Sequence, residues 1–200
     1  PAGPPIESIS VYRRPLLHHP TPTPRSMAQR PRPARWATAL PLLLALSQPG
    51  QAALADDVGA LLAAGRPAEA LQRTEQALLV APRDAQTRFV HGVVLMELRR
   101  DAEALELFTR VAQEFPELPE PLNNIGLLHA RNGRLDSARA ALESALRNDP
   151  GHRAARANLA EVHLMLAVAA WEQLGLAAPL EPRLARRLEA VRALLSPAGR

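Results

Sequence analysis

The sequence repeats itself across its central half with a fixed step of about 34 residues, a period typical of arrays of helix pairs. This step separates three prolines and three alanines: Pro82, Pro116, Pro150, Ala70, Ala104 and Ala138. In such an array each unit buries its apolar face against the next. The array presents an extended surface and no single reaction pocket. The spacing therefore predicts a protein that binds a partner.

Further residues of the repeat follow the same register. The third copy, 119–152, carries the fullest set: Leu122, Ile125, Gly126, Gly133, Ala138, Leu142, Ala145 and Pro150. The second copy, 85–118, carries Gly92, Ala104, Phe108 and Pro116, and the first copy, 53–84, carries Leu61, Gly65, Ala70, Ala77 and Pro82. On these residues the chain resembles the tetratricopeptide repeat (TPR) family. The resemblance implies an all-α helical solenoid of about 3.5 repeats. The first copy departs from the pattern at Val58 and Thr74.

Small residues in each copy have a physical role in this register. Gly126 and Ala138 are expected where the two helices of a repeat cross, because larger side chains would force the helices apart. Gly133 is expected in the turn between them, where a positive φ favours glycine. In the second copy Arg99 stands at the turn position, and the sequence offers no reason for it. Pro67 is expected to begin a helix.

The C-terminal part predicts two more helices. A fourth half-repeat over 153–175 keeps Leu159, Ala160 and His163 in register and is expected to end with Gly175 as its C-cap. A linker and a capping helix follow over 176–200, with one apolar stripe. The stripe consists of Leu184, Leu188, Val191 and Leu195. Arg186, Arg187 and Arg192 are expected to face solvent, and a basic helix resting on anionic lipid stays open as an alternative.

The N-terminal part predicts a targeting segment. Residues 27–52 combine Arg30, Arg32 and Arg35 with the apolar stretch 36–46 and small residues, a pattern typical of a cleaved signal peptide. The 11-residue stretch is too short for a bilayer core of about 30 Å. Cleavage is expected after Ala52 or after Ala55, giving a periplasmic protein of a Gram-negative bacterium. Residues 1–26 contain seven prolines and are expected to be disordered or an untranslated extension.

Charge and composition argue against several function classes. The net charge of +4 comes from the first 52 residues, since residues 53–200 carry 18 arginines against 19 acids. A nucleic-acid binder needs a basic face on its folded part, so nucleic acid is not expected. There is no cysteine, and no constellation of catalytic residues is visible, so neither an enzyme nor a cofactor is expected. His129 and His163 share one repeat position and are interpreted as packing residues.

The first helices of a TPR array line its concave face, which the resemblance identifies as the usual binding groove. The residues expected there are Phe89, Val93, Met96, Asn123, Asn124, Leu127, Arg131 and Asn158. Asn124 and Asn158 occupy the same position of successive repeats, and amide side chains can donate to and accept from a peptide backbone. The expected function is an exported adaptor that binds a peptide or partner protein in envelope assembly, secretion or protein maturation. A membrane-tethered assembly factor with an uncleaved leader and a self-associating structural module remain as alternatives.

Overall fold

The computed structural model describes residues 49–195, with side chains described from residue 53 onward. Eight helices make up the regular structure of this part. They are α1 (Pro49–Ala63), α2 (Pro67–Val80), α3 (Ala85–Glu97), α4 (Asp101–Glu114), α5 (Pro119–Arg131), α6 (Leu135–Asn148), α7 (Arg153–Ala177) and α8 (Pro182–Leu195). The first six form three helix pairs, and each pair packs on the next through its second helix. The predicted all-α solenoid is confirmed over these residues.

Small residues at the helix crossings explain why the two helices of a pair pack closely together. A Cβ atom at Gly126 would lie 2.6 Å from Leu142 Cγ, and one at Gly92 would lie 2.6 Å from Phe108 Cε1. Real side chains essentially never approach so closely, so the second helix packs directly on these glycines. Ala138 is fully buried beside the same crossing. The prediction for small residues at these positions is confirmed.

The turns inside the three pairs share one backbone conformation. Gly65, Arg99 and Gly133 have φ values of +69°, +59° and +71°. In each turn the amide of the next residue donates to a carbonyl five residues back, as Arg100 N does to Leu95 O at 2.9 Å. This is a left-handed helix end, a conformation that glycine adopts most readily. Arg99 therefore occupies a glycine position, with its side chain in solvent.

Helix boundaries follow the prolines. Pro67 is the first residue of α2, as predicted. The second helices α2, α4 and α6 end at Val80, Glu114 and Asn148, two residues before a proline in each case. A proline restricts the residue before it to extended conformations, which stops the helix there.

Thr74, which departs from the repeat pattern, has a hydrogen-bonding partner in the next repeat. Thr74 is fully buried in α2, and its hydroxyl donates to the carbonyl of Leu71 at 2.9 Å. The same oxygen lies 2.8 Å from Nδ1 of His91 on α3, which stands one repeat before Ile125. Because the hydroxyl hydrogen is already used, His91 Nδ1 is the donor. Burial lowers the pKa of His91, which favours its neutral form. Two polar residues at normally apolar positions thus satisfy each other.

The C-terminal helices differ from the prediction at one boundary. α7 does not end at Gly175; it continues to Ala177 and is capped at Ala178, whose φ of −159° is extended. Gly175 lies inside the helix, with Leu180 Cγ 3.5 Å from the place of a Cβ. The apolar stripe of α8 is confirmed, since Leu188 is buried against α7.

No helix in residues 49–195 is long and apolar enough to cross a membrane. The predicted leader, 27–52, and the segment 1–26 lie outside the described residues, except that Pro49–Ala52 open α1.

Candidate functional site

First helices of successive repeats contact each other at two junctions of the array. α1 packs against α3, and α5 packs against α7. The residues predicted to line the groove lie on α3, α5 and α7.

The apolar members of the predicted set lie in the core. Phe89, Val93, Met96 and Leu127 are 8%, 3%, 2% and 5% exposed. The ring of Phe89 lies 5.6 Å from that of Phe108 on α4. In this conformation these side chains stabilise the array and offer a ligand little surface. Their contact with a partner stays a prediction.

Arg131 has an internal partner. Its guanidinium donates to Asp101 of α4 at 2.8 Å, and the two side chains are only 18% and 21% exposed. The pair joins the third repeat to the second. Asp101 therefore neutralises the charge of the expected groove residue Arg131, and contact of Arg131 with a partner stays a prediction.

The three asparagines form one hydrogen-bonded chain across α5 and α7. Asn158 Nδ2 donates to Asn123 Oδ1 at 2.9 Å, and Asn123 Nδ2 donates to Asn124 Oδ1 at 3.2 Å. Asn123 and Asn124 are 2% and 4% exposed, and Asn158 is half-buried. The structure brings together the two residues that the repeat spacing aligned. It also shows that Asn123 is the link between them, which the spacing could not indicate.

Both ends of this asparagine chain are unused. Asn124 Nδ2 is buried and finds no acceptor among the described residues. At the other end, Asn158 Oδ1 receives no hydrogen bond from residues 49–195. A buried polar group without a partner costs about 1–3 kcal/mol. One unused donor and one unused acceptor match the C=O and N–H of a peptide unit.

Sequence reasoning missed Glu120, which lies one turn before Asn123 and Asn124 at the start of α5. Its Oε2 atom is buried and has no hydrogen-bond partner within residues 49–195. Burial raises the pKa of Glu120, with a smaller opposing effect from its own backbone. No sequence signal marks an atom that packing leaves unpaired.

The two histidines of the shared repeat position have different surroundings. His129 is half-buried and its Nδ1 accepts a hydrogen bond from Arg134 Nε at 3.0 Å. Burial, and then the charge of Arg134, lower the pKa of His129. His163 is exposed, so its interpretation as a packing residue is wrong. Within the described part of the chain, no group of three or more side chains could hold a metal ion.

Several known structures share the fold. The TPR domain of Sgt2 from Aspergillus fumigatus superposes with a TM-score of 0.56 at 17% identity, over 62% of this chain and 83% of that one. The first TPR of Spaghetti (RPAP3), bound to the HSP90 peptide SRMEEVD, gives a TM-score of 0.52 at 15% identity, over 58% and 93%. PcrH in complex with the chaperone binding region of PopD gives 0.50 at 20% identity, over 66% and 99%. At these identities the likeness shows the fold alone.

Sequence comparison identifies the family. Two family models described as tetratricopeptide repeat match residues 60–119 and 119–162. Together they cover just over half of the 200 residues. A comparison with curated proteins finds no match. The repeat period, the crossing glycines, the left-handed turns and these two matches agree, and the chain belongs to the tetratricopeptide repeat family.

Proposed function

We propose that this chain is an adaptor that holds an extended peptide segment of a partner protein against α5 and α7. The observation that carries the proposal is the asparagine chain with an unused donor at Asn124 and an unused acceptor at Asn158. The chain would act by binding and would catalyse no reaction.

Binding would complete the hydrogen bonds that the fold leaves open. A peptide carbonyl would accept from Asn124 Nδ2, and a peptide N–H would donate to Asn158 Oδ1. Because Asn124 Nδ2 is buried, its amide must turn outward about χ2, a torsion with a broad energy profile. This turn gives up the hydrogen bond from Asn123 Nδ2 to Asn124 Oδ1, which the peptide must replace. The gain is the removal of an unpaired buried group, about 1–3 kcal/mol.

Related folds give independent support for a peptide ligand. One similar structure contains an HSP90 peptide and another contains the chaperone binding region of PopD. Both are partners of those proteins. For this chain they favour the class of ligand, a peptide segment, and leave its sequence open.

The test uses peptides selected by the protein itself. Phage-displayed random 12-residue peptides are panned on the full chain, and an enriched peptide is titrated by calorimetry. Asn124→Ala with Asn158→Ala should weaken its binding by more than about tenfold, because a lost hydrogen bond to a buried group costs about 1–3 kcal/mol. The control, Arg186→Ala with Arg187→Ala, changes exposed residues of α8 and should leave the affinity unchanged.

A reversed pattern would contradict the proposal. If the arginine variant loses binding and the asparagine variant keeps it, the ligand lies on α8. Both variants must retain the helical circular dichroism of the parent.

We also propose that the protein is exported to the periplasm and acts there in envelope assembly, secretion or protein maturation. The support is the leader pattern at 27–52 and the absence of net positive charge in residues 53–200. α1 begins at Pro49, so cleavage after Ala52 removes only its first turn. Cleavage after Ala55 would also remove Leu54, a core residue that is 7% exposed. This favours the first site.

N-terminal sequencing of the protein recovered from the periplasm tests the export proposal. We expect Ala53 as the first residue. Asp56 as the first residue would mean that loss of Leu54 is tolerated, and an intact Met27 would contradict cleavage.

A further inference from the structure

The first half of α7 has a face without a partner helix. In the second and third repeats, the second helix of the pair packs directly on Gly92 and Gly126: a Cβ atom added at either glycine would lie 2.6 Å from a side-chain atom of that helix. Ala160 holds the same register on α7, one repeat after Gly126. Ala160 is exposed, and so is His163 one turn later. The fourth repeat therefore presents a helix-crossing position with nothing across it among the described residues.

The length of α7 explains this open face. α5 ends after 13 residues, and α6 turns back over it at once. α7 runs for 25 residues before the chain turns, and α8 begins only at Pro182. α8 packs on the far part of α7, where Arg192 bonds Glu172 at 2.6 Å. α8 therefore lies about three helical turns further along α7 than the second helix of a complete repeat would.

The charge around the open face is positive. Arg153 and Arg156 are exposed on the first turn of α7, and neither forms an ion pair within residues 49–195. Negative charge on a binding partner would favour its association with this face.

We propose that the open face, formed by Arg153, Arg156, Ala160 and His163, binds an acidic amphipathic helix of a partner protein. The helix would take the place of the second helix of the fourth repeat. The pairs Ala104–Phe108 and Ala138–Leu142 give its pattern, a small residue followed four positions later by a large apolar one. Acidic residues on its flank would meet the two arginines. This face is separate from the asparagine chain.

One helix of the protein supplies a probe with these properties. The sequence of α4, DAEALELFTRVAQE, has the Ala104–Phe108 pair and carries four acids against one arginine. A fluorescein-labelled synthetic peptide of this sequence is titrated with the full chain by anisotropy. A free helix of this length is marginal in water, so binding is expected to be weak but saturable, with a Kd below about 1 mM.

Matched variants locate the binding. Ala160→Trp fills the crossing position and should weaken peptide binding about tenfold or more. Ala140→Trp, at an exposed site on α6, is the control and should bind as the parent does. Arg153→Glu with Arg156→Glu should weaken binding and reduce its dependence on salt. Asn124→Ala with Asn158→Ala should leave it unchanged, which separates this proposal from the groove.

Three outcomes would overturn the proposal. One is no saturation by about 1 mM peptide. A second is equal affinity for the Ala160→Trp and Ala140→Trp proteins. A third is a doubled mass of the free chain by light scattering that Ala160→Trp abolishes, which would assign this face to a second copy.

Discussion

The left-handed turn at Arg99 allows a prediction about stability, because glycine occupies the same position in the other two repeats. Arg99, Gly65 and Gly133 share one backbone conformation, with φ between +59° and +71°. A residue with a Cβ loses about 1–2 kcal/mol in this region, and glycine does not. The Arg99 side chain is exposed and forms no ion pair with a described residue, so its removal breaks no ion pair. Arg99→Gly should therefore stabilise the protein.

The magnitude follows from two opposing contributions. Relief of the left-handed strain contributes about 1–2 kcal/mol. The greater freedom of glycine in the unfolded chain removes about 0.5–1 kcal/mol of that gain. We expect a net stabilisation of about 0.5–1 kcal/mol, or a rise in Tm of about 1–4 °C for a chain of this size.

Two glycine-to-alanine substitutions test whether the sign of the stability change depends on the backbone φ angle. At Gly133 and at Gly59 an added Cβ meets nothing within 4 Å, so packing does not enter either comparison. Gly133→Ala should destabilise the protein by about 1 kcal/mol because its φ is positive. Gly59→Ala, inside α1, should stabilise it by about 0.5–1 kcal/mol. The free energies of unfolding come from urea titrations followed by circular dichroism. Equal effects of the two alanines, or a less stable Arg99→Gly protein, would refute the reasoning.

Two further predictions concern the packing between helices. Ala138→Leu overpacks a fully buried helix crossing and should lower the free energy of unfolding by about 1–3 kcal/mol. Ala140 is exposed, so Ala140→Leu should change the urea midpoint little. Equal midpoints for the two variants would show that the assigned register is wrong. The pKa of His91 is lowered by burial, so its contribution to stability is complete above its unfolded pKa of about 6.5 and is lost as the pH falls through the lower folded value. Thr74→Val with His91→Leu should flatten that part of the curve of unfolding free energy against pH, and an unchanged curve would mean that another group titrates there.

The repeat period predicted the fold because each position has a local physical cause. The positive φ at Gly133 and the crossing at Gly126 follow from the absence of a Cβ, which can be read in the sequence. The bond between Thr74 and His91 could not be predicted in the same way. Each residue by itself looks like a departure from the pattern, and only the packing of α2 on α3 shows that they satisfy each other.

The site was predicted less fully than the fold. The repeat step aligned Asn124 with Asn158, but their link through Asn123 depends on side-chain rotamers. Arg131 was expected in the groove because its repeat position faces inward, but its ion pair with Asp101 could not be predicted from that position. Spacing fixes which helix face a residue occupies. It does not fix which neighbour a long side chain reaches.

The central claim is that the asparagine chain binds a peptide backbone. Side-chain amide signals in ¹⁵N-correlated NMR spectra, assigned with Asn124→Ala and Asn158→Ala proteins, test it directly during titration with a phage-selected peptide. We predict that the amide signals of Asn124 and Asn158 shift together and saturate at the Kd measured by calorimetry. Unchanged asparagine signals at saturating peptide, with shifts confined to residues of α8, would contradict the account.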